Sequence, residues 1–483
     1  MTLNFYQETK QKEVNNLSDN YLKKIQKLDF NLSNYYSEKI KIETKLNRQI
    51  VSFQANKEIA YYRWYKYKEA FSSELVQYLA NKYCQNKRKI IDPFAGIGTT
   101  LFSCSQLGFD AEGIEVLPIG QYIIEANIIA RSIDNQEIIS RLKYWKVNKV
   151  WNGEGHTKDF KILPITEAAY TKETEYKIKR YLAELDLEET SLRKILLFVL
   201  LCILESISFT RKDGQYLRWD YRSGRRKGKN TFNKGQILSF DEAIINKLND
   251  IIQDILIGDI KQDIFSYLEN KPARGQINIL KGSCLNILPT LKTESYGGII
   301  TSPPYCNRYD YTRTYALEHA LLGINNSELA SLRQAMLSCT VENKQKDLLS
   351  LNNEWSKAIN ICDRLTLLQE ISNYLDYKKE QKELNNKGIA RMVKNYFYEM
   401  ACVIQECYRV LEKDSFICMV NDNVRYAGAS ISVDLILSKI AEDIGFTIEN
   451  ILVLPQGKGN SSQQMGKHGR SPLRKCIYIW KKK

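Results

Sequence analysis

Residues 301–305 read Thr-Ser-Pro-Pro-Tyr and close an apolar run, Gly297-Gly298-Ile299-Ile300. Such a run is a buried strand, and proline cannot continue it because proline donates no ladder hydrogen bond. The segment therefore stops a strand and leaves a hydroxyl, two proline-edged carbonyls and a phenol at its end. Earlier in the chain, Asp92 ends the short strand Ile90-Ile91, and Gly96 and Gly98 form a tight turn before a helix starting near Thr99. That layout brings backbone amides close to a ligand. GIGTT lacks the lysine of a triphosphate loop, so it is not read as one. The next strand, DAEGIEV, carries Glu115, where a carboxylate can accept both hydroxyls of a ribose. Turn and acid together point to an adenosine-containing cofactor.

The elements that must hold these residues follow from hydrophobic period. A helix over roughly 119–133 follows Glu115, and a strand from Ile277 leads to Gly282 and Ser283. After the strand that ends at Thr301, the pattern resumes with a helix over 393–411 and a strand over 415–420. It closes with an NDN turn, a helix over 431–444 and the strands FTIENILVL and KCIYIWKK. Strands alternating with helices predict an α/β fold with a mostly parallel sheet, and two final strands in succession predict an antiparallel hairpin. Two largely helical inserts, 135–275 and 324–392, divide the sheet-forming parts 51–134, 276–323 and 393–483, and residues 1–50 form a polar arm, helical in parts. Residues 56–83 are an aromatic-basic stretch that turns helical near Phe71, with Ser72 or Ser73 as its cap.

The 483 residues carry a formal net charge of +14, which favours an anionic partner such as nucleic acid. The 11 cysteines include no CxxC pair and no Cys/His ligand spacing, so no zinc site is expected. His156, His319 and His468 are isolated and are given no role. The longest apolar run, Ile195 to Leu204, is half of the ~20 residues that cross a bilayer and reads as a buried helix rather than a membrane span. Free cysteines and a polar N-terminal stretch point to a reducing cytoplasm.

DPFAGIGTT (residues 92–100) together with TSPPY resembles the DNA amino-methyltransferases, which methylate the exocyclic nitrogen of cytosine or adenine with S-adenosylmethionine. The resemblance spans about 51–134, 276–322 and 393–483, with its motifs in the family's order. It implies a Rossmann-like class I methyltransferase sheet, double-stranded DNA as substrate, base flipping, and a restriction–modification setting with a separately encoded endonuclease. It implies that Asp92 meets the amino-acid end of the cofactor, that Phe94 lies against it, and that Gly96, Gly98 and Glu115 cradle the adenosine. Ser283 sits where the family reaches the adenine, usually with an acid. KYKEAFSSELVQYL occupies the family's further cofactor segment, matching loosely at Lys68, Phe71 and Ser72.

In that family reading the opening segment has a purpose. An exocyclic amine is a poor nucleophile because its lone pair is delocalised into the ring. Acceptors aimed at its N–H bonds stabilise the positive charge that grows as the new bond forms. Ser302 and the Pro303 carbonyl are the candidate acceptors, Pro303 and Pro304 stiffen the rim, and Tyr305 offers a face for an extruded base. Serine here favours cytosine N4 over adenine N6, because it can serve ring N3 as well as the amine, whereas a carboxylate would repel that lone pair. Similar PPY loops serve RNA guanine-N2 and protein glutamine-N5 enzymes, usually with Asp or Asn in place of Ser302. A methyltransferase fold used only to bind nucleic acid is a further alternative.

DNA contacts must come from outside the shared parts. Residues 208–235 interleave Arg211, Lys212, Arg218, Arg222, Arg225 and Arg226 with Tyr216, Trp219 and Tyr221, a composition suited to a nucleic-acid face. Arg308 and Arg313, just after TSPPY, are placed to hold flanking backbone, while Tyr309 and Tyr311 either fill the gap left by a flipped base or belong to the core. The cationic loop 456–475 either closes over substrate or simply joins the terminal hairpin. Target recognition is assigned first to 135–275 and second to 324–390, where helical spacing with balanced charge equally suits a packing or subunit-contact role.

Overall fold

The computed structural model describes all residues except 1, 48, 85–87, 215, 226–230, 267–272 and 456–472, with backbone only for 2–16 and 258–266. Its strands are β1 (Ile40–Ile42), β2 (Ile90–Asp92), β3 (Ala111–Glu115), β4 (Thr210–Lys212), β5 (Leu217–Trp219) and β6 (Ile277–Lys281). Then come β7 (Tyr296–Thr301), β8 (Leu411–Asp422), β9 (Val424–Tyr426), β10 (Ala429–Ile431), β11 (Thr447–Val453) and β12 (Lys475–Lys481). Eight of them form one sheet in the order β1-β11-β12-β8-β7-β2-β3-β6. Only β12 runs against its neighbours, β8 and β11, and the other pairings are parallel. From β2 the order runs outward through β3 to β6. From β7 it runs outward through β8. The β2–β7 junction is thus the topological switch point, and open α/β sheets bind ligands beyond the strand ends there.

Helices cover both faces, so the central strands are apolar throughout rather than alternating with polar residues. Successive side chains still point to opposite faces. Ile91, Ile299, Ile417 and Trp480 join the core under helices Ile389–Val410 and Val433–Ile444. Their neighbours Ile90, Ile300, Cys418 and Ile479 join the core under helices Ser73–Tyr83 and Thr99–Gln106. The turn after β2 is short because Asp92 caps it, with Oδ1 accepting the Phe94 amide at 3.0 Å.

The expected strands and the antiparallel terminal pair are present. Two features were not expected from the sequence. After the helix Thr2–Tyr35, the arm adds β1 as a parallel edge strand on β11. Where the sequence suggests an NDN turn, β8 runs on through Asp422, and only Asn423 separates it from an antiparallel hairpin, β9–β10.

The first insert comprises helices Asn135–Asn148, Lys172–Leu185, Thr190–Ile207 and Phe240–Ser266 and the antiparallel hairpin β4–β5. The apolar run forms Thr190–Ile207, whose Leu196, Leu200 and Leu204 are wholly buried. Its core also contains Trp64, Tyr65, Tyr67, Tyr315 and Leu317, so the insert shares its packing with segments that border the switch point. The second insert packs helices Ser356–Arg364 and Thr366–Glu380 onto Ile389–Val410 and the N-terminal helix. Trp355 there is buried and donates through Nε1 to Glu406 at 2.9 Å. Among the described residues, no helix is long and apolar enough to cross a membrane.

Candidate active site

A cavity of about 690 Å³ opens at the β2–β7 switch point. Asp92, Phe94, Gly96, Glu115, Ser283 and Phe71 line it, and so do Ser302, Pro303, Pro304 and Tyr305. The glycine turn and the proline ledge therefore face one space, although they lie far apart in the chain.

Asp92 ties the two central strands together. Its Oδ1 also accepts from the Thr301 hydroxyl at 2.5 Å. Burial pushes its carboxyl up to about 6, against the lowering effect of those bonds. Glu115 is held at both oxygens: Oε2 accepts the Gly96 amide and Oε1 the Leu117 amide, each at 2.7 Å. An ionised carboxylate has about four acceptor sites, so each oxygen keeps one for a ligand. Burial, reinforced by the charge of Asp92, pushes this carboxyl up to about 7 even though its amide bonds lower it.

The two glycines differ. Gly96 has φ +56° and borders the cavity, where a side chain would also reach the Tyr67 ring. Gly98 does not line the cavity. Its φ is +83°, and a Cβ there would lie 2.9 Å from Ile124 and 3.0 Å from Phe102. Its place is in packing and helix entry, which corrects the expectation of ligand contact. Ser72 is likewise corrected. It is wholly buried, its hydroxyl accepts the Leu75 amide at 3.1 Å as the helix cap and donates to the Ile50 carbonyl, and it does not line the cavity. Ser283 precedes the short helix Cys284–Ile287 and makes no side-chain capping bond.

On the ledge, the Ser302 hydroxyl lies 3.4 Å from the Tyr305 phenol oxygen. Pro303 is buried and Tyr305 is half-buried. Lys475 Nζ lies 5.8 Å from the Tyr305 ring centroid.

Several cavity residues escaped the sequence reading. Tyr67 stacks on Tyr315 at 5.0 Å between centroids. Glu69 accepts from the Tyr309 and Tyr315 hydroxyls, and burial raises its carboxyl. Asp422, at the end of β8 beside the ledge strand, also lines the cavity. Glu69 had a signal: it is the one acid in the basic-aromatic run between Ile59 and Ser73. Asp422 had one too, as the acid in NDN directly after an apolar strand.

The basic hairpin divides by side. Arg211 and Arg218 are exposed on β4 and β5, and Arg218 sits 4.1 Å from the Phe232 ring centroid. Lys212 is 4 % exposed, and its Nζ pairs with the wholly buried Glu318 at 2.5 Å and meets the Tyr65 hydroxyl at 3.1 Å. An ammonium so enclosed presents no charge to DNA, which corrects that expectation. Trp219 is also corrected, since it packs in the insert core beneath the Arg225 guanidinium, 4.6 Å from its ring. Arg222 grips Asp220 with two bonds of 2.7 and 3.0 Å and donates to the Gly235 carbonyl. Arg225 donates to the Glu167 and Pro164 carbonyls. Both are exposed, but their donors hold the loop together. Arg313 lies within 3.4 Å of Asp310 and Glu342, and Arg308 is half-buried with φ +68°. Arg226 and most of the loop 456–475 lie outside the described residues.

A mostly parallel sheet with acids beyond its central strands and a Ser-Pro-Pro-Tyr ledge beside them defines a Rossmann-like methyltransferase. No protein-family model matches the chain. Individual relatives do: the chain belongs to the type II methyltransferases. It is 53 % identical over 466 residues to the type II methyltransferase M.AvaI of Nostoc sp., covering 96 % of this chain and 95 % of that one. It is 40 % identical over 482 residues to the type II methyltransferase M.BsoBI of Geobacillus stearothermophilus, covering 92 % of each. A shorter likeness, 37 % over 62 residues and 13 % of this chain, links it to M.MjaII of Methanocaldococcus jannaschii.

Proposed function

We propose that this enzyme methylates the exocyclic amine of a base extruded from double-stranded DNA, cytosine N4 before adenine N6, with S-adenosylmethionine as donor. The supporting observation is that Asp92 and Glu115 border the same cavity as the Ser302–Tyr305 ledge. Membership of the type II methyltransferases supports a restriction–modification setting, with a separately encoded endonuclease as the functional partner.

The residues present fit the donor. The cavity volume lies in the usual range for a ligand site, about 300–1,000 Å³. Glu115 would accept from the ribose hydroxyls, Gly96 leaves its side of the cavity open, and Asp92 with Phe94 would meet the amino-acid end. When bound, S-adenosylmethionine supplies an electrophilic methyl on a sulfonium. The protein's part is to accept and to align. Ser302 Oγ and the Pro303 carbonyl accept from the amine, so charge growing on nitrogen meets fixed dipoles. Tyr305 stacks on the base, which offsets part of the cost of extrusion. The Ser302 hydroxyl can also donate to cytosine N3, which is the reason for ranking cytosine first.

Incubation of the protein with labelled S-adenosylmethionine and mixed-sequence duplex DNA tests the reading, with nucleoside analysis to identify the base. N4-methylcytosine is the expected product. Label confined to RNA would favour the guanine-N2 alternative, and DNA binding without cofactor binding would favour a non-catalytic module.

The acidity of Glu115 gives a pH prediction. Its folded value is raised to about 7, from an unfolded value of about 4.3. The stability it contributes to the unliganded protein is therefore full below about pH 4.3 and is lost as pH rises through about 7. Ribose hydroxyls favour the ionised form, so cofactor binding should tighten over the same rise and release a proton near pH 6.5. Calorimetry in buffers of different ionisation heat reads that proton, and Glu115→Gln should remove it.

Exposed Arg211 and Arg218 are the hairpin cations best placed for phosphates. Replacing both by alanine should weaken binding to all duplex sequences alike. The slope of log affinity against log salt should fall by about 2, roughly 0.9 per lost phosphate contact.

A further inference from the structure

The β4–β5 hairpin does more than carry exposed cations. The start of its turn borders the reaction cavity at Lys212, Asp213 and Gly214. Three contacts hold it there. The Asp310 amide donates to the Gly214 carbonyl at 3.0 Å. Lys68 Nζ donates to the Lys212 carbonyl at 2.6 Å. The Lys212 ammonium is locked to Glu318. Gly214 has φ +70° and lies flat against Tyr309, so that a Cβ there would sit 2.8 Å from the ring. Tyr309 follows shortly after the ledge and donates to Glu69. The turn is therefore fixed to the loop that follows the ledge, at the wall of the cavity.

Asp213 brings a carboxylate to that wall. Among the described residues it pairs with Arg218 at 3.9 Å, and its side chain is about half exposed, at 46 %. A carboxylate repels phosphate and can only accept, so its partner must be a donor. On DNA that means an amino group on a base edge, most directly cytosine N4. Resting on the function proposed above, we propose that Asp213 is a specificity-determining residue that accepts a hydrogen bond from an amino group on a base at the mouth of the reaction cavity.

The test compares genomic DNA from cells expressing the wild-type chain, Asp213→Asn, Asp213→Ser and Asp213→Glu, with modified sites mapped by single-molecule sequencing. The wild type should mark one motif. The asparagine and serine variants should still mark it, but with preference at one base position reduced roughly ten-fold, in the range set by a single base contact. The glutamate variant, which keeps the charge, should stay close to wild type. Calorimetric affinity of the purified variants for S-adenosylmethionine should not change. An unaltered motif in both neutral variants overturns the proposal. So does weakened cofactor binding, which would put Asp213 at the donor instead, and so does complete loss of modification by folded protein, which would put it in the reaction itself. If the wild type leaves DNA unmodified, it is the proposed function that fails, and that outcome is separable from the others.

Discussion

Ser302→Ala should lower methyl transfer by about 10²–10³-fold, the usual cost of removing one preorganised group from a developing charge. Duplex affinity should hold nearly constant, because Ser302 sits inside the cavity and not on the outer face of the β4–β5 hairpin. Tyr305→Ala should act differently. It removes a stacking face, so the population of extruded base should fall by the equivalent of about 1–3 kcal/mol. Single-turnover methylation reads the first effect, and the fluorescence of a duplex with 2-aminopurine at the target position reads the second. Normal turnover by both variants would remove the ledge from the chemistry.

The second large effect concerns stability. Lys212→Met should cost about 3–5 kcal/mol in denaturant unfolding, because it strands a buried carboxylate without its cation. Glu318 is wholly buried, and Lys212 and the Tyr65 hydroxyl both bond its Oε1. The double variant Lys212→Met/Glu318→Leu should recover most of the loss, since well-packed apolar pairs often replace buried ion pairs at little cost. A single variant as stable as wild type would mean that water reaches Glu318 and solvates it.

The contrast between Ser302 and Lys212 shows what was legible in the chain. Ser302, Asp92 and Glu115 sit at the ends of short apolar strands, and strand ends are visible from hydrophobic period alone. The parallel order then brings those ends together. Lys212 looked like one more cation in a basic run. Its partner, Glu318, lies 106 residues away, and nothing in local composition points to it. The alternation did hold a clue, because in Thr-Arg-Lys the outer residues face inward and Arg211 faces out. Gly98 and Ser72 misled for the opposite reason. Each lies in a motif that borders the cavity nearby, yet its own neighbours are Ile124 and Phe102 for the glycine and a helix end for the serine. The edge strand β1 is three residues long and mostly exposed, so it carries no periodic signal at all.

The reversed strand β12 also bears on how the protein comes into being. It lies between β8 and β11 and hydrogen-bonds to both, yet it is residues 475–481. Until a ribosome has released that segment, β8 ends in an open edge, and the β11–β1 pair has no neighbour through which to join the rest. Domains usually fold from the N-terminal side as they emerge. Here the reversed strand is the keystone, so a nascent chain cannot close its sheet until residues 475–481 have emerged.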